Sequence, residues 1–311
     1  MRLVMISAWN DSGGSYLNRL LDGHPALHAW PYELLLGADD VSPDMFDECW
    51  FRGRFRWPRL RNVETASAFA LFDAIADSEL KDVLRLPTKS KHHGFTVDVS
   101  LGAWRDAVAT RWSNAAERSQ RQFLQTYVGT FFEALDGRHI VADALVLGHC
   151  PAVILDSAEI WADFPGAAFL HVLRSPEAGY RDMKRRHPGL DPAGYAMKWS
   201  LINQEAARLA AKYPSSVHLV TLERLLEAPE ETLRRICSCL GIAFDPVVLT
   251  PSWRGKSLDP AAMGPFGGVP TLSAGDDRQA RESLSEPEHS TIGRQCAGAR
   301  SLLRSLHALD V

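Results

Sequence analysis

The hydrophobic pattern opens with residues 2–8 (RLVMISA), an almost unbroken apolar run that predicts a buried strand. A polar loop, 9–14, comes next. Tyr16, Leu17, Leu20 and Leu21 then recur at helical spacing until His24-Pro25, where the residue before proline is pushed out of the α region. The opening unit is therefore strand, glycine-containing loop, helix. Residues 41–92 are mixed, with arginines among Trp50, Phe51, Phe55 and Trp57 and a helical stretch at 63–78, and read as a helical insertion over a sheet. Residues 95–99 (FTVDV) alternate as a strand does, and 115–136 predict a long helix with Phe123, Tyr127, Phe131 and Phe132 on its apolar side. A short strand at 138–142 (RHIVA) and a longer one at 167–173 (AAFLHVL) follow, the second ending at Arg174-Ser175-Pro176. Helices are expected at 176–186 and 192–212, a strand at 217–222 (VHLVTL), and a helix at 229–240 opened by Pro229. A Gly- and Pro-rich loop (251–275) leads to a closing helix at 286–308.

This alternation predicts an α/β fold of three layers: a mainly parallel central sheet with helices on both faces. No repeat, low-complexity tract or linker interrupts it, so 1–311 is expected to form a single domain. The composition is that of a protein with a sizeable core, 46% hydrophobic and 23% charged, with nine tryptophans that favour a packed interior or aromatic-lined pockets. A net charge of -4 argues against a general nucleic-acid binder while leaving room for an anionic ligand at a local basic cluster. The five cysteines are scattered and odd in number, so they make no disulfide framework, and no CxxC pair proposes zinc; no metal is expected. The apolar start is too short for a signal peptide, and no stretch approaches the roughly 20 residues that span a bilayer. A cytoplasmic location is the expectation.

In an open parallel sheet, ligands gather at the carboxyl ends of the strands, where the first loop stands. Gly13 and Gly14 let backbone amides approach an anion, the helix start adds a favourable dipole, and Ser15 offers a hydroxyl. The plainer alternative is a tight turn in which Asp11 or Ser12 caps the helix. GxxxxGK[ST] and GxGxxG are both absent, which disfavours a Walker-type or Rossmann site.

Ser12-Gly13-Gly14-Ser15, Leu17, Arg19-Leu20-Leu21-Asp22 and His24-Pro25 together resemble the 5′-phosphosulfate loop of the sulfotransferases that use 3′-phosphoadenosine 5′-phosphosulfate (PAPS). That loop typically reads proline, a basic residue, Ser-Gly-Thr-Thr, a helix and His-Pro. Residues 164–176, Phe164-Pro165-Gly166 through Arg174-Ser175-Pro176, are similar to the family's strand into its 3′-phosphate motif. Leu222-Glu223-Arg224-Leu225-Leu226 with Pro229-Glu230, Leu233, Ile236-Cys237 and Leu240-Gly241 resembles the strand and helix that follow it. Trp253-Arg254-Gly255-Lys256 and Phe266-Gly267-Gly268 resemble the C-terminal loop over the donor. The matches run in the family's order along nearly the whole chain, and they imply the P-loop-like sulfotransferase architecture.

The resemblance implies PAPS as co-substrate, held by Ser12, Gly13, Gly14, Ser15, Arg174, Asp182, Arg254 and Lys256, and a small-molecule or carbohydrate acceptor. It also implies Glu33 as the base that deprotonates the acceptor; His149, at a strand–loop boundary, and Asp98, inside the apolar alternating strand, are further candidates from their places in the chain. Three positions depart from the pattern. Asp11 replaces the basic residue before Ser-Gly, Asp182 replaces the serine eight residues after Arg174, and Ala142-Asp143-Ala144-Leu145 stands where Lys-Thr-Pro is usual. A carboxylate beside a phosphate is repulsive unless a cation intervenes. A catalytically silent binding protein on the same fold, or a transferase with another phosphorylated donor, are the alternatives those acids raise. The sequence is silent on oligomeric state.

Overall fold

The computed structural model of the chain describes residues 1–37, 55–75, 79–86, 95–258 and 276–306. Five strands form one sheet: β1 (Arg2–Ala8), β2 (Leu27–Glu33), β3 (Leu145–His149), β4 (Ala168–Leu173) and β5 (Val217–Thr221), in the order β2-β3-β1-β4-β5. The β2–β3 and β4–β5 pairs are parallel, and helices surround the sheet, the α/β arrangement expected. Contacts cluster into two compact units, residues 1–4 with 25–167 and residues 5–24 with 168–311.

In the first unit, β2 and β3 are accompanied by α2 (Ala68–Ala74), α3 (Glu79–Arg85), α4 (Leu101–Ser113), α5 (Gln120–Asp136) and α6 (Ser157–Asp163). Ser67, Ser100 and Ser119 each cap a helix by accepting the amide three residues on. The core is aromatic: Trp30 lies 4.5 Å from Phe131, Trp104 lies 4.5 Å from Tyr127, and Phe72 packs edge-on to Trp104 at 5.0 Å. The indole N–H of Trp104 is satisfied by the Tyr127 carbonyl at 3.1 Å. Asp156, almost fully buried, accepts a forked pair of bonds from Arg56 and the Trp57 amide at 2.8 Å, which fastens the 55–60 segment.

Several boundaries differ from the sequence expectation. Residues 138–142 are irregular and largely exposed, and the strand begins after a turn closed by Ala144 N–H to the Val141 carbonyl. Phe95 and Val97 are buried and Thr96 and Asp98 exposed, so the alternation at 95–99 is real, but the segment joins no sheet. Its Phe95 carbonyl takes the Tyr32 hydroxyl instead. β2 escaped the pattern because Pro31 lacks an amide donor, and the β2–β3 register is irregular between Ala29 and Glu33, around that proline. The long helix starts at Gln120, and α4 precedes it. Of the expected insertion at 41–92, residues 41–54, 76–78 and 87–92 lie outside the described residues; the remainder carries α2 and α3.

In the second unit, α1 (Gly14–Leu21), α7 (Pro176–Arg186), α8 (Pro192–Lys212), α9 (Leu222–Glu227), α10 (Pro229–Leu240), α11 (Asp276–Ser283) and α12 (Glu286–Ser305) accompany β4 and β5. Pro229 opens its helix as read, and Pro176 and Pro192 open theirs in the same way, since the first turn needs no amide donor. Under α8, His171 of β4 bonds Asn203 at 2.8 Å, and complete burial pushes its imidazole down to about 4, a neutral core histidine.

Glu288 ties α12 to α7: it accepts from Lys184 at 2.5 Å and from the Tyr180 hydroxyl at 3.0 Å, and reaches back to the Ser285 amide at 3.0 Å. Lys184 first, then the Ser285 and Tyr180 donors, hold its carboxyl down to about 2, against the opposing effect of burial. Because the folded value lies below the ordinary 4.5, the stabilisation is complete above about pH 4.5 and is lost as pH falls towards 2. Glu288→Gln is therefore expected to cost about 1 kcal/mol at pH 7. The gap from wild type in urea melts should narrow as the pH is lowered from 5 towards 2; a gap independent of pH would refute the assignment.

Candidate functional site

The end of β1 delivers the chain into a sharp loop. Asp11 (φ 58) and Gly13 (φ 92) both occupy the left-handed region, and Ser12 N–H turns back to the Trp9 carbonyl at 3.1 Å. Gly13 is the N-cap of α1 and no side chain caps the helix, so neither Asp11 nor Ser12 does the work of the plainer alternative. The first amides of α1, at Gly14 and Ser15, carry the positive end of the helix dipole, and no side chain among the described residues caps them. Trp9 is buried and packs 6.2 Å from Tyr195. The buried Asn10 Nδ2 and Tyr195 hydroxyl find no hydrogen-bond partner among the described residues.

Arg174, immediately past β4, is buried and reaches this loop. One guanidinium nitrogen donates to the Asp11 carbonyl at 2.5 Å and another to the Asp182 carboxylate at 2.7 Å. Asp182, one α7 turn pair further on, also accepts from Arg181 at 2.8 Å and Arg185 at 3.5 Å. Burial pushes its carboxyl up, but bonds and charges from Arg181 and Arg174 outweigh that, and the net shift is downward. The Asp11 carboxylate pairs with Arg186; here burial prevails over Arg186 and Arg174, and its carboxyl is raised. The run Lys184–Arg186, readable as a solvated face, is thus ion-paired throughout, with Glu288, Asp182 and Asp11 in turn.

Arg174→Lys is expected to lower stability by about 1–3 kcal/mol, because an ammonium cannot fork to a carbonyl and a carboxylate together. A thermal melt within experimental error of wild type would show that the fork contributes nothing.

Arg254 and Lys256 lie exposed on a hairpin, β6 (Ser252–Trp253) and β7 (Lys256–Ser257), whose turn residues Arg254 (φ 53) and Gly255 (φ 71) both have positive φ. Ser252 Oγ and the Gly255 amide each donate to Asp22 at 2.9 Å, and the buried Arg19 sits 5.0 Å from the Trp253 ring. Asp22 follows the last residue of α1, so the hairpin is anchored at the opposite end of that helix from Gly13, about 12 Å of helix rise away. Phe266-Gly267-Gly268 lies outside the described residues. A groove of about 800 Å³ runs beside β5 and α10, past Val217, Val220, Arg224 and Ile236, and none of the site residues lines it.

In the first unit, Glu33 ends β2, half-buried, and pairs in register with His149, the last residue of β3. The Leu34 amide donates to the His149 carbonyl at 2.7 Å, and the Glu33 amide to the buried Glu79 carboxylate at 3.3 Å. The fold thus brings Glu33 and His149 to adjacent strand ends. Asp98 is exposed on its irregular segment and makes no hydrogen bond or ion pair with either. Cys150, next to His149, is fully buried; that burial, with the charges of Glu33 and Asp156, drives its thiol well up, so it is no nucleophile.

The sequence profile of the sulfotransferase family matches residues 4–246. The chain belongs to that family. Among solved structures it is similar to the sulfotransferase domain of the Synechococcus PCC 7002 olefin synthase, with 18% identity, a TM-score of 0.54, and 96% of this chain and 94% of that one covered. It is also similar to the sulfotransferase domain from the curacin biosynthetic pathway, with 15% identity, a TM-score of 0.55, and 96% and 98% covered. At such identities the likeness is one of fold. No curated protein matches the chain. Among the described residues no helix is long and apolar enough to cross a membrane.

Two residues that bond to the candidate site residues went unread in the sequence. Arg181 stands one residue before Asp182, and its spacing of four from Arg185 was the available signal. Glu79 carried none, being an acid in a region without clear periodicity.

Proposed function

We propose that the chain transfers a sulfonyl group from a nucleoside phosphosulfate to a hydroxyl or amine of a small molecule or carbohydrate; the donor that the family resemblance implies is PAPS. The observation carrying this reading is the uncapped start of α1 behind Gly13, at the carboxyl end of β1, beside a cluster of arginines from α7 and the end of β4. Backbone amides there suit the 5′-phosphosulfate oxygens, and Ser15 offers a further donor. In the reaction the acceptor oxygen or nitrogen attacks sulfur, the bond from sulfur to the bridging phosphate oxygen breaks, and the nucleotide leaves with that oxygen's electron pair. The acceptor's proton goes to a base, which this reading assigns to Glu33, with His149 beside it as the second candidate.

The test is release of nucleotide from 35S-labelled phosphosulfate donors, with and without the 3′-phosphate, against a panel of phenols, sugars and amines. Transfer of label to an acceptor supports the reading. Absence of both transfer and nucleotide binding at millimolar donor overturns it. Asp11 and Asp182, already paired with arginines, favour one second reading, a binding protein without turnover. It predicts nucleotide binding with no label transferred to any acceptor.

A further inference from the structure

β5 is the last strand of the sheet, and its bonding pattern leaves one side open. It pairs with β4 in unbroken parallel register from Phe169–Val217 to Leu173–Thr221, and the Phe169 amide donates to the Ser216 carbonyl at 2.7 Å. In a parallel ladder the main-chain groups of alternate residues face the same neighbour. Those of His218 and Val220 therefore join Ser216 in facing β4, and those of Val217, Leu219 and Thr221 face away. The Val217 amide is taken by the Tyr213 carbonyl at 2.9 Å. The Leu219 amide and carbonyl and the Val217 carbonyl make no hydrogen bond among the described residues. Such an edge is a template for another chain, and β5 (VHLVT) carries neither the lysine, the proline nor the bulge that blunts one.

The groove of about 800 Å³ beside β5 supplies the chemistry of the occupant. Ala210 and Ala211 of α8 and Ile236 of α10 give it apolar walls, and its ionised lining residues, Arg224 and Arg235, are both cationic; no acid lines it. Arg224 is already paired with Glu231 at 3.1 Å. Arg235, exposed on α10, makes no ion pair among the described residues and is the charge left for a partner. His218, which also lines the groove, has a buried Nε2 with no hydrogen-bond partner among the described residues. We infer that the outer edge of β5 docks an extended acidic peptide segment of a partner protein, which adds a strand to the sheet. Main-chain bonds to Leu219 and Val217 supply the pairing, and side chains that alternate along the segment supply an acid for Arg235 and apolar groups for the walls. A second copy of this chain fits less well, because it would bring the same arginines to the contact, like charge against like. None of the candidate site residues lines the groove, so the inference stands independently of the sulfonyl-transfer reading.

The experiment is fluorescence anisotropy on the full chain with a labelled probe peptide of alternating aspartate and valine, six residues long. Its controls are the same peptide with lysine for aspartate, and the aspartate peptide N-methylated at alternate residues, which keeps the side chains and blocks main-chain pairing. Wild type is expected to bind the aspartate probe saturably, and about tenfold or more tightly than either control. Arg235→Glu, a change on the exposed face of α10, should weaken the aspartate probe by about tenfold or more and favour the lysine peptide instead. The N-methylated control needs no altered protein, so the strand pairing is tested even if that variant folds poorly. Equal binding of the N-methylated peptide overturns strand addition, and equal binding of the lysine peptide overturns the acidic partner. A dimer in sedimentation that Arg235→Glu abolishes assigns the edge to a second copy and overturns the inference. Absence of binding at millimolar probe overturns it as well.

Discussion

Glu33→Gln is expected to cut turnover by about a hundredfold or more, the range in which a lost general base falls, while nucleotide affinity stays within about twofold of wild type. The amide keeps the shape of the carboxylate and removes its charge and its capacity to accept a proton. Glu33 is the last residue of β2, in register with His149 at the end of β3, and ligands of an open parallel sheet gather at the carboxyl ends of its strands. The half-buried carboxylate follows Trp30 and Tyr32, both fully buried. Its backbone is fixed on either side, by the Glu33 amide to Glu79 and the Leu34 amide to His149. Position is thereby set by the main chain, and the substitution should leave the fold intact. Turnover retained in Glu33→Gln would shift the assignment to His149, and His149→Gln would then carry the loss. Turnover retained in both would remove this pair of strand ends from the mechanism. Asp98, exposed and apart from that pair, is not expected to matter, and Asp98→Asn serves as the control.

How much of this was legible in the sequence follows from the range of the interactions involved. The bounds of α7, α8 and α10 were read correctly because a proline, a cap and a helical period all lie within one segment. β4 and β5, mostly apolar, were equally plain. β2 was not, because Pro31 interrupts its pattern and the sheet tolerates the gap with an irregular register. The strand expected at 138–142 was displaced to Leu145–His149, since a short apolar run does not say whether a neighbouring strand exists for it. The site divides in the same way. Gly13, Gly14 and Arg174 were picked out by local motif, but the conflict posed by Asp11 and Asp182 had no local resolution. The partner of the Asp11 carboxylate is 175 positions away, and Arg174 reaches the Asp11 carbonyl across 163. Counting charges along the chain assigns no such pairs. The bonds from Ser252 and Gly255 to Asp22, which fasten the hairpin carrying Arg254 and Lys256 to the end of α1, were likewise out of reach of any local motif.

Gly13→Ala is expected to destabilise the protein by about 2–5 kcal/mol and to abolish measurable nucleotide binding. Two separate costs contribute. An alanine at φ 92 sits in left-handed space, which costs an L-residue about 1–2 kcal/mol. Its methyl would also lie 2.6 Å from Leu222 Cδ1 and 3.1 Å from Cδ2, closer than packed carbons come. Leu222 is fully buried at the start of α9, directly after Thr221, whose side chain caps that helix, so it has little room to retreat; overpacking of this kind adds about 1–3 kcal/mol. Gly137 separates the two costs. It too has positive φ, 74, yet a methyl there meets nothing within 4 Å, so Gly137→Ala should show the backbone cost alone, about 1 kcal/mol. Trimming the neighbour tests the other half: Leu222→Ala leaves a cavity by itself, but in the double variant the new methyl occupies part of that space. The double variant should therefore be less destabilised than the two single losses together, by about 1 kcal/mol or more. Strict additivity in thermal or urea melts would mean that the loop absorbs the methyl by moving rather than by pressing on Leu222. In that case the positive φ alone is what confines this position to glycine.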